Sequence, residues 1–107
     1  MPHVRDSQMY GQIKLFAGTS CRGLADEIAA YLGLPLSGRD IIKFPNENIF
    51  VRLHTSVRGQ DCYIIQTTSP PVSDNLLELL IAVQTLRLDS AARITVVIPY
   101  LAYARSD

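Results

Sequence analysis

Four stretches of this sequence set chemically useful side chains close together. In Lys43-Phe44-Pro45-Asn46-Glu47-Asn48 an aromatic ring stands beside two amides and a carboxylate. Such a ring can stack on a flat base while the amides read the edge of that base. Ser56-Val57-Arg58-Gly59 pairs a guanidinium fork with a hydroxyl, a donor set that holds a phosphate group. Gly18-Thr19-Ser20-Cys21-Arg22-Gly23 follows an apolar run, and the N–H groups of a helix start attract anions. Arg105, Ser106 and Asp107 bring a cation and a carboxylate to the mouth of another apolar run.

Each stretch also has a plainer reading. Pro and Asn favour an ordinary turn at 45–48, a loop arginine such as Arg58 is usually solvated, and Arg105 with Asp107 makes a common surface ion pair. The Gly18 stretch fits neither GxxxxGK[ST] nor GxGxxG, so a simple strand-to-helix connection accounts for it better. Cys21 has no histidine near it in sequence and reads as a passive thiol rather than an activated nucleophile. His3 and His54 are isolated, and neither CxxC nor HxxxH occurs, so no metal site built from this chain alone is expected. Taken singly, no stretch specifies a reaction, and no catalytic residue is assigned.

These side chains need a scaffold, and the hydrophobic pattern predicts one. Gln12 to Ala17 alternates polar and apolar residues, which predicts a strand ended by Gly18. Thr19 or Ser20 is the expected N-cap of a helix with Leu24, Ile28, Tyr31 and Leu32 on its inward face and Gly33 as its C-cap. Ile41–Phe44 and Asn48–Leu53 flank a Pro-Asn turn and predict a hairpin. Cys62–Gln66 reads as a strand covered on both faces. From Asp74 to Leu88, large aliphatic residues occupy nearly the whole helical circumference, so burial on more than one side is expected. The second covering layer would come from another subunit or another domain. Asp74 and Asn75 read as first-turn residues of that helix. Arg93–Ile98 is a further buried strand, closed by Pro99. The alternation predicts an α/β fold, a mostly parallel sheet with helices on both faces plus a short hairpin. In such sheets ligands sit outside the carboxyl ends of the strands, where the polar stretches 18–20, 67–75 and 103–107 fall.

At 107 residues the chain is one domain. Residues 1–10 read as a loose arm and 11–107 as the domain. Ten basic and ten acidic side chains cancel, which gives no electrostatic case for nucleic acid or an anionic membrane as partner. No apolar run has the length of a spanning helix and no signal peptide is evident. The two cysteines are expected as reduced thiols in a cytoplasmic protein.

In order and spacing, Lys14–Ser20, Lys43–Leu53, Ser56–Gln66 and Ser73–Asp107 resemble the N-terminal half of ribose-phosphate pyrophosphokinases, the phosphoribosyl pyrophosphate synthetases. The resemblance covers residues 12–107, most strongly at Ser56–Gly59, Asp74–Leu80 and Ile98–Asp107. It implies a phosphoribosyltransferase-like fold. It further implies an enzyme that moves the β,γ-diphosphoryl group of ATP to the anomeric hydroxyl of ribose 5-phosphate with Mg2+. By that resemblance Phe44 stacks on adenine, Asn46 and Asn48 contact the nucleotide, and Arg105 reaches the ATP phosphates with Ser106 and Asp107 alongside. Ser56, Arg58 and Ser90 match positions that in regulated members line an allosteric phosphate or nucleotide site between subunits. The implied partners are ATP, ribose 5-phosphate and further copies of the chain, as dimers that build up to a hexamer.

Two residues depart from the family pattern. An acid usually stands at the position of Asn48 and a glutamine at that of Ser106, and an amide weakens any contact made as an acceptor only. The family's metal-binding histidine, flexible catalytic loop and acidic ribose-5-phosphate loop fall beyond Asp107. The expectation is therefore an N-terminal domain cut before its second domain, with the metal ligands outside this chain and no activity by itself. The alternative is a non-catalytic synthetase-associated regulatory or assembly subunit, which Asn48 favours. A flavodoxin-like or receiver-like binding module is a third reading, but the clustered acids or phosphate loop of such modules are missing.

Overall fold

Polar–apolar alternation produces the first strand, β1 (Ile13–Ala17), whose inner residues Leu15, Phe16 and Ala17 are all buried. The computed structural model describes residues 11–45 and 48–99; the expected arm and the segment from Tyr100 lie outside them. After β1 come α1 (Arg22–Leu32), the strands β2 (Arg39–Lys43), β3 (Ile49–Leu53) and β4 (Asp61–Ile65), then α2 (Val72–Leu88) and β5 (Arg93–Val97). β1, β4 and β5 form a parallel sheet in the order β1-β4-β5, with Leu15 opposite Tyr63 and Tyr63 opposite Thr95. β2 and β3 form a separate antiparallel hairpin, with Ile41 opposite Val51. This is the α/β architecture that the pattern predicts.

Side chains alternate across a strand, so the sheet feeds two cores. On one face Phe16, Cys62 and Ile64 pack with Leu79, Ala82 and Leu86 of α2 and Val51 of the hairpin. On the other, Ala17 and Ile65 pack with Cys21 and Ala25 at the start of α1. β4 is central and covered on both faces, as its apolar run predicts. At the amino end of the sheet the buried Asp61 receives Arg93 in a two-pronged pair at 3.0 and 2.7 Å, across register partners of β4 and β5.

Both helices differ from expectation in which residues they bury. In α1 the buried residues are Ala25 and Ala29, while Leu24, Tyr31 and Leu32 are 39%, 91% and 53% exposed. The helix presents a stripe of small residues to the sheet, and only Ile28 of the expected face packs toward the core. Residue size misleads here, because a methyl side chain lets a helix lie close where a leucine would hold it off. Gly33 does cap this helix, at φ 70°, with its N–H reaching back to Ala29 and Ala30. α2 buries Asn75, Glu78, Leu79, Ala82 and Leu86 on a single face. Its outer leucines, Leu80 and Leu88, are 58% and 75% exposed. Among the described residues no second layer covers them. No helix of the described residues is long and apolar enough to cross a membrane.

Cys62 is fully buried at the centre of the sheet, and burial, reinforced by the charge of Asp61, pushes its thiol up to about 11. The fold thus favours the neutral thiol, while an unfolded thiol ionises near 9.0. This contribution is complete below pH 9 and disappears as pH rises toward 11. Urea unfolding across that window is expected to show an alkaline loss of stability that is smaller in Cys62→Ala. An identical pH profile in the two proteins would contradict the assignment.

Candidate functional site

Three connections converge at the carboxyl ends of β1 and β4, and what joins them is polar and buried. Gln66, directly after β4, is completely buried. Its Nε2 donates to Glu78 Oε2 at 2.9 Å and to the Asn75 carbonyl at 3.3 Å, while its Oε1 accepts from the Ser20 N–H at 3.2 Å. Ser20 Oγ lies 2.6 Å from Gln66 Oε1 and accepts the Thr67 N–H at 3.1 Å. Asn75 Nδ2 in turn donates to the Ser69 carbonyl at 2.8 Å, fixing the loop into α2.

Glu78 is the charge at the centre of this cluster, with 1% exposure inside the aliphatic run Leu76–Ala82 of α2. A buried carboxylate is tolerated only when every acceptor site is answered. Here the Thr19 N–H donates at 2.7 Å, the Thr19 hydroxyl at 2.6 Å, and Gln66 as described. The fourth donor is the ammonium of Lys43, 3.2 Å from Glu78 Oε1. Thr19 and Ser20 are therefore not helix caps: Cys21 takes the N-cap position of α1 and no side chain caps it. Their hydroxyls go to the carboxylate and the buried amide, where the loss of a partner costs more than at an exposed helix end.

Lys43 ends β2, so this ion pair ties the hairpin to the carboxyl end of the sheet. Phe44 follows it, and the Phe44 N–H donates to the Asn48 carbonyl at 2.8 Å across the tip. A cavity of about 200 Å3 opens there, lined by Lys43, Phe44, Asn48, Ile49 and Asp74. The Phe44 ring is half exposed at 49%. An open aromatic face between an ammonium, an amide and a carboxylate suits a flat polar heterocycle. The volume falls below the ~300 Å3 at which complete small-molecule sites begin, so it has room for only part of a small ligand.

The structure thus brings Phe44 and Asn48 together with Asp74. Asn46, Arg105, Ser106 and Asp107 lie outside the described residues. Ser56, Arg58 and Ser90 also come together, but at the amino ends of β4 and β5. There the Gly59 N–H donates to the Ser90 carbonyl at 2.9 Å and the Arg58 N–H to Ser56 Oγ at 3.3 Å. Ser90 holds φ 68° and Gly59 φ 72°, the left-handed conformation that lets both turns close. All three side chains are exposed. Cys21 is buried, with Sγ 3.5 Å from the Ile65 carbonyl, in keeping with a passive thiol. Among the described residues no three His, Cys, Asp or Glu side chains gather as a metal site. Glu78 has its acceptor sites filled by protein donors. Sequence reasoning missed Lys43, Gln66 and Glu78. The available signal was one acid inside the aliphatic run Leu76–Ala82, which a buried helix carries only with partners.

A family model for the N-terminal domain of ribose phosphate pyrophosphokinase matches residues 13–107. The chain is 47% identical over 95 residues to a ribose-phosphate pyrophosphokinase of Brucella melitensis, which covers 89% of this chain and 31% of that protein. It is 50% identical over 96 residues to a chloroplastic relative of the same description from Spinacia oleracea, covering 90% of this chain and 24% of the relative. Among solved structures, phosphoribosylpyrophosphate synthetase from Mycobacterium smegmatis superposes with a TM-score of 0.84 at 39% identity, over 87% of this chain and 31% of that one. The chain spans about a third or less of the length of these relatives.

The cluster is close-packed enough to specify its own glycine. A Cβ on Gly18 would stand 2.0 Å from Oε1 of the buried Gln66, which cannot retreat without breaking its hydrogen bonds. Gly18→Ala is expected to destabilise the fold by about 2–3 kcal/mol. Glu78→Gln, which turns an amide donor toward existing donors, is expected to cost about 3–5 kcal/mol. Equilibrium urea unfolding measures both, and changes below about 0.5 kcal/mol, the range of ordinary surface substitutions, would contradict this account.

Proposed function

This chain belongs to the ribose-phosphate pyrophosphokinase family, and we propose that residues 11–107 work as the N-terminal domain of a phosphoribosyl pyrophosphate synthetase subunit. The activity is diphosphoryl transfer from ATP to the anomeric hydroxyl of ribose 5-phosphate, with Mg2+ supplied at ligands outside the described residues. Its Mg2+ would neutralise phosphate charge on the nucleotide. This chain supplies one wall of the ATP site. The observation that carries the reading is the half-exposed Phe44 ring in a cavity with Asn48 and Asp74, tied through Lys43 and Glu78 to the carboxyl ends of the sheet.

In this reading Phe44 stacks on adenine, Asn46 and Asn48 contact the nucleotide, and Arg105 with Ser106 and Asp107 takes the phosphates. Asn48 offers donors as well as an acceptor, so its partner on the base edge differs from that of a carboxylate. Ser56, Arg58 and Ser90 form a regulatory phosphate or nucleotide site at the opposite end of the sheet. The uncovered leucines of α2 support assembly with further copies of the chain or with a second domain. In-line transfer needs charge neutralised on several sides of the phosphoryl group, so the 107 residues by themselves are expected to form no product. The enzyme is assigned to the cytoplasm. Asn48 favours one second reading, a non-catalytic regulatory or assembly subunit of a synthetase that keeps the interfaces and not the chemistry.

The measurement that separates these readings is an ATP titration of the chain, with Phe44→Ala beside it. Stacking on one base is worth about 1–3 kcal/mol, so the variant is expected to bind roughly tenfold more weakly, with an unchanged unfolding midpoint. Equal affinities would remove Phe44 from the site. No measurable ATP binding by the parent chain would favour the assembly-subunit reading.

A further inference from the structure

A second cavity lies at the other end of the hairpin, at the start of β2. Its volume is about 240 Å3, and Arg22, Ser37, Gly38, Arg39 and His54 line it. Among the described residues no carboxylate does. Two acids bonded to its lining residues lie outside its walls. Asp26 pairs with Arg22 Nε at 3.2 Å, and Asp40 holds Arg52 Nη2 at 2.8 Å and His54 Nε2 at 2.9 Å. Hydrogen bonds from Arg52 and then His54 keep the Asp40 carboxyl below the usual carboxylate range, so it stays ionised and continues to hold the imidazole.

Arg39 is the residue these pairs leave over. Its Nε donates to the Ala17 carbonyl at 2.7 Å, which anchors the half-buried guanidinium at the end of β1. Among the described residues it has no carboxylate partner. A guanidinium carries five N–H donors, and this one is fixed in a cleft whose polar walls are cationic or neutral. The wall is shaped around the neighbouring imidazole: a Cβ on Gly38 would stand 2.3 Å from His54 Nδ1. The His54 backbone N–H donates to the Gly38 carbonyl at 3.0 Å, so the two backbones are joined there.

The amino end of α1 stands beside the same cavity through Arg22. This helix has neither a side-chain cap nor an acid in its first turn, because Thr19 and Ser20 are committed to Glu78 and Gln66. An anchored arginine without an acid partner among the described residues and a second arginine, the first residue of a helix without a side-chain cap, thus line one cleft. A small oxyanion with several acceptor atoms matches that donor set.

We propose that this cleft binds a phosphate group, free or carried on a small molecule, at a site separate from both the Phe44 cavity and the Ser56–Arg58 turn. Arg39 is its central donor and Arg22 its outer one. The 240 Å3 volume admits the phosphoryl end of a small ester as well as the bare ion.

The test is a residue-resolved amide NMR titration of the 107-residue chain at constant ionic strength, with inorganic phosphate in one arm and glycerol 3-phosphate in the other. The Ser37, Gly38 and Arg39 resonances are expected to shift saturably. Saturation by phosphate alone assigns the site to the bare ion, and saturation by both assigns it to phosphoryl esters as well. Arg39→Gln is expected to weaken the binding read at Ser37 and Gly38 by about tenfold or more, a charged hydrogen-bond contribution. Arg22→Gln removes an exposed side chain that the fold does not need, and a decrease of about threefold is expected from it. Arg58→Gln, at the opposite end of the sheet, should leave the Ser37 and Gly38 shifts unchanged. The proposal is overturned if neither titrant moves these amides saturably, or if Arg39→Gln and Arg22→Gln bind as the parent does.

Discussion

The carboxylate of Glu78 is the constraint that the carboxyl end of this fold is built around. An ionised group with 1% exposure has to find as many donors inside the protein as water would offer. Four answer it, and they come from three separate connections: Thr19 after β1, Gln66 after β4 and Lys43 at the end of β2. Each donor is thereby fixed in place by the others. The consequence spreads outward from the carboxylate. Gln66 must lie flat against Gly18, which excludes a side chain there. Ser20 must serve Gln66 and Thr67, and so the first turn of α1 goes without a cap. A single buried charge thus decides the geometry of two loops, one helix start and one hairpin.

How much of this was legible in the sequence depends on whether the deciding force was local. The strands were readable because alternation and β-branched runs report burial directly, and β4 is covered on both faces as its Cys62–Ile65 run implies. Gly33 was readable because a left-handed C-cap is a local demand on one residue. The inward face of α1 was not. Leu24, Tyr31 and Leu32 carry the larger apolar surface, but the contact with the sheet is set by how close two backbones approach, and Ala25 and Ala29 permit the closer one. Thr19 and Ser20 misled for a related reason. Their local preference is to cap a helix, and partners 59 and 46 residues distant in the chain outbid it.

The candidate site divides in the same way. Phe44 and Asn48 stood out by residue type, and a turn brings them together whatever the rest of the chain does. What holds that turn in place, Lys43 on Glu78, is a long-range ion pair between a half-exposed ammonium and a buried carboxylate. No spacing rule connects positions 35 residues apart on a strand and a helix. The grouping of Ser56 and Arg58 with Ser90 is likewise a product of topology: parallel neighbours β4 and β5 start side by side, so the turns preceding them meet.

The hairpin then becomes the element through which the two cavities are related. Its tip carries Phe44 and is tied to Glu78; its base carries Arg39, tied to the carbonyl of Ala17 at the end of β1. Gly18 follows Ala17 directly, and Thr19 follows Gly18. The tie at the base therefore ends on the stretch 17–21, which enters α1, and the tie at the tip reaches that stretch through Glu78, which accepts both Thr19 donors. Two antiparallel strands alone have little rigidity, and here the packing of Ile41, Ile49 and Leu53 onto the α2 face of the core adds the remaining support. A charge bound at the base would act on the same stretch of backbone that positions the tip. The distance between the cavities is bridged by hydrogen bonds and ion pairs that are already formed, so an effect of one cavity on the other would require no rearrangement of the sheet.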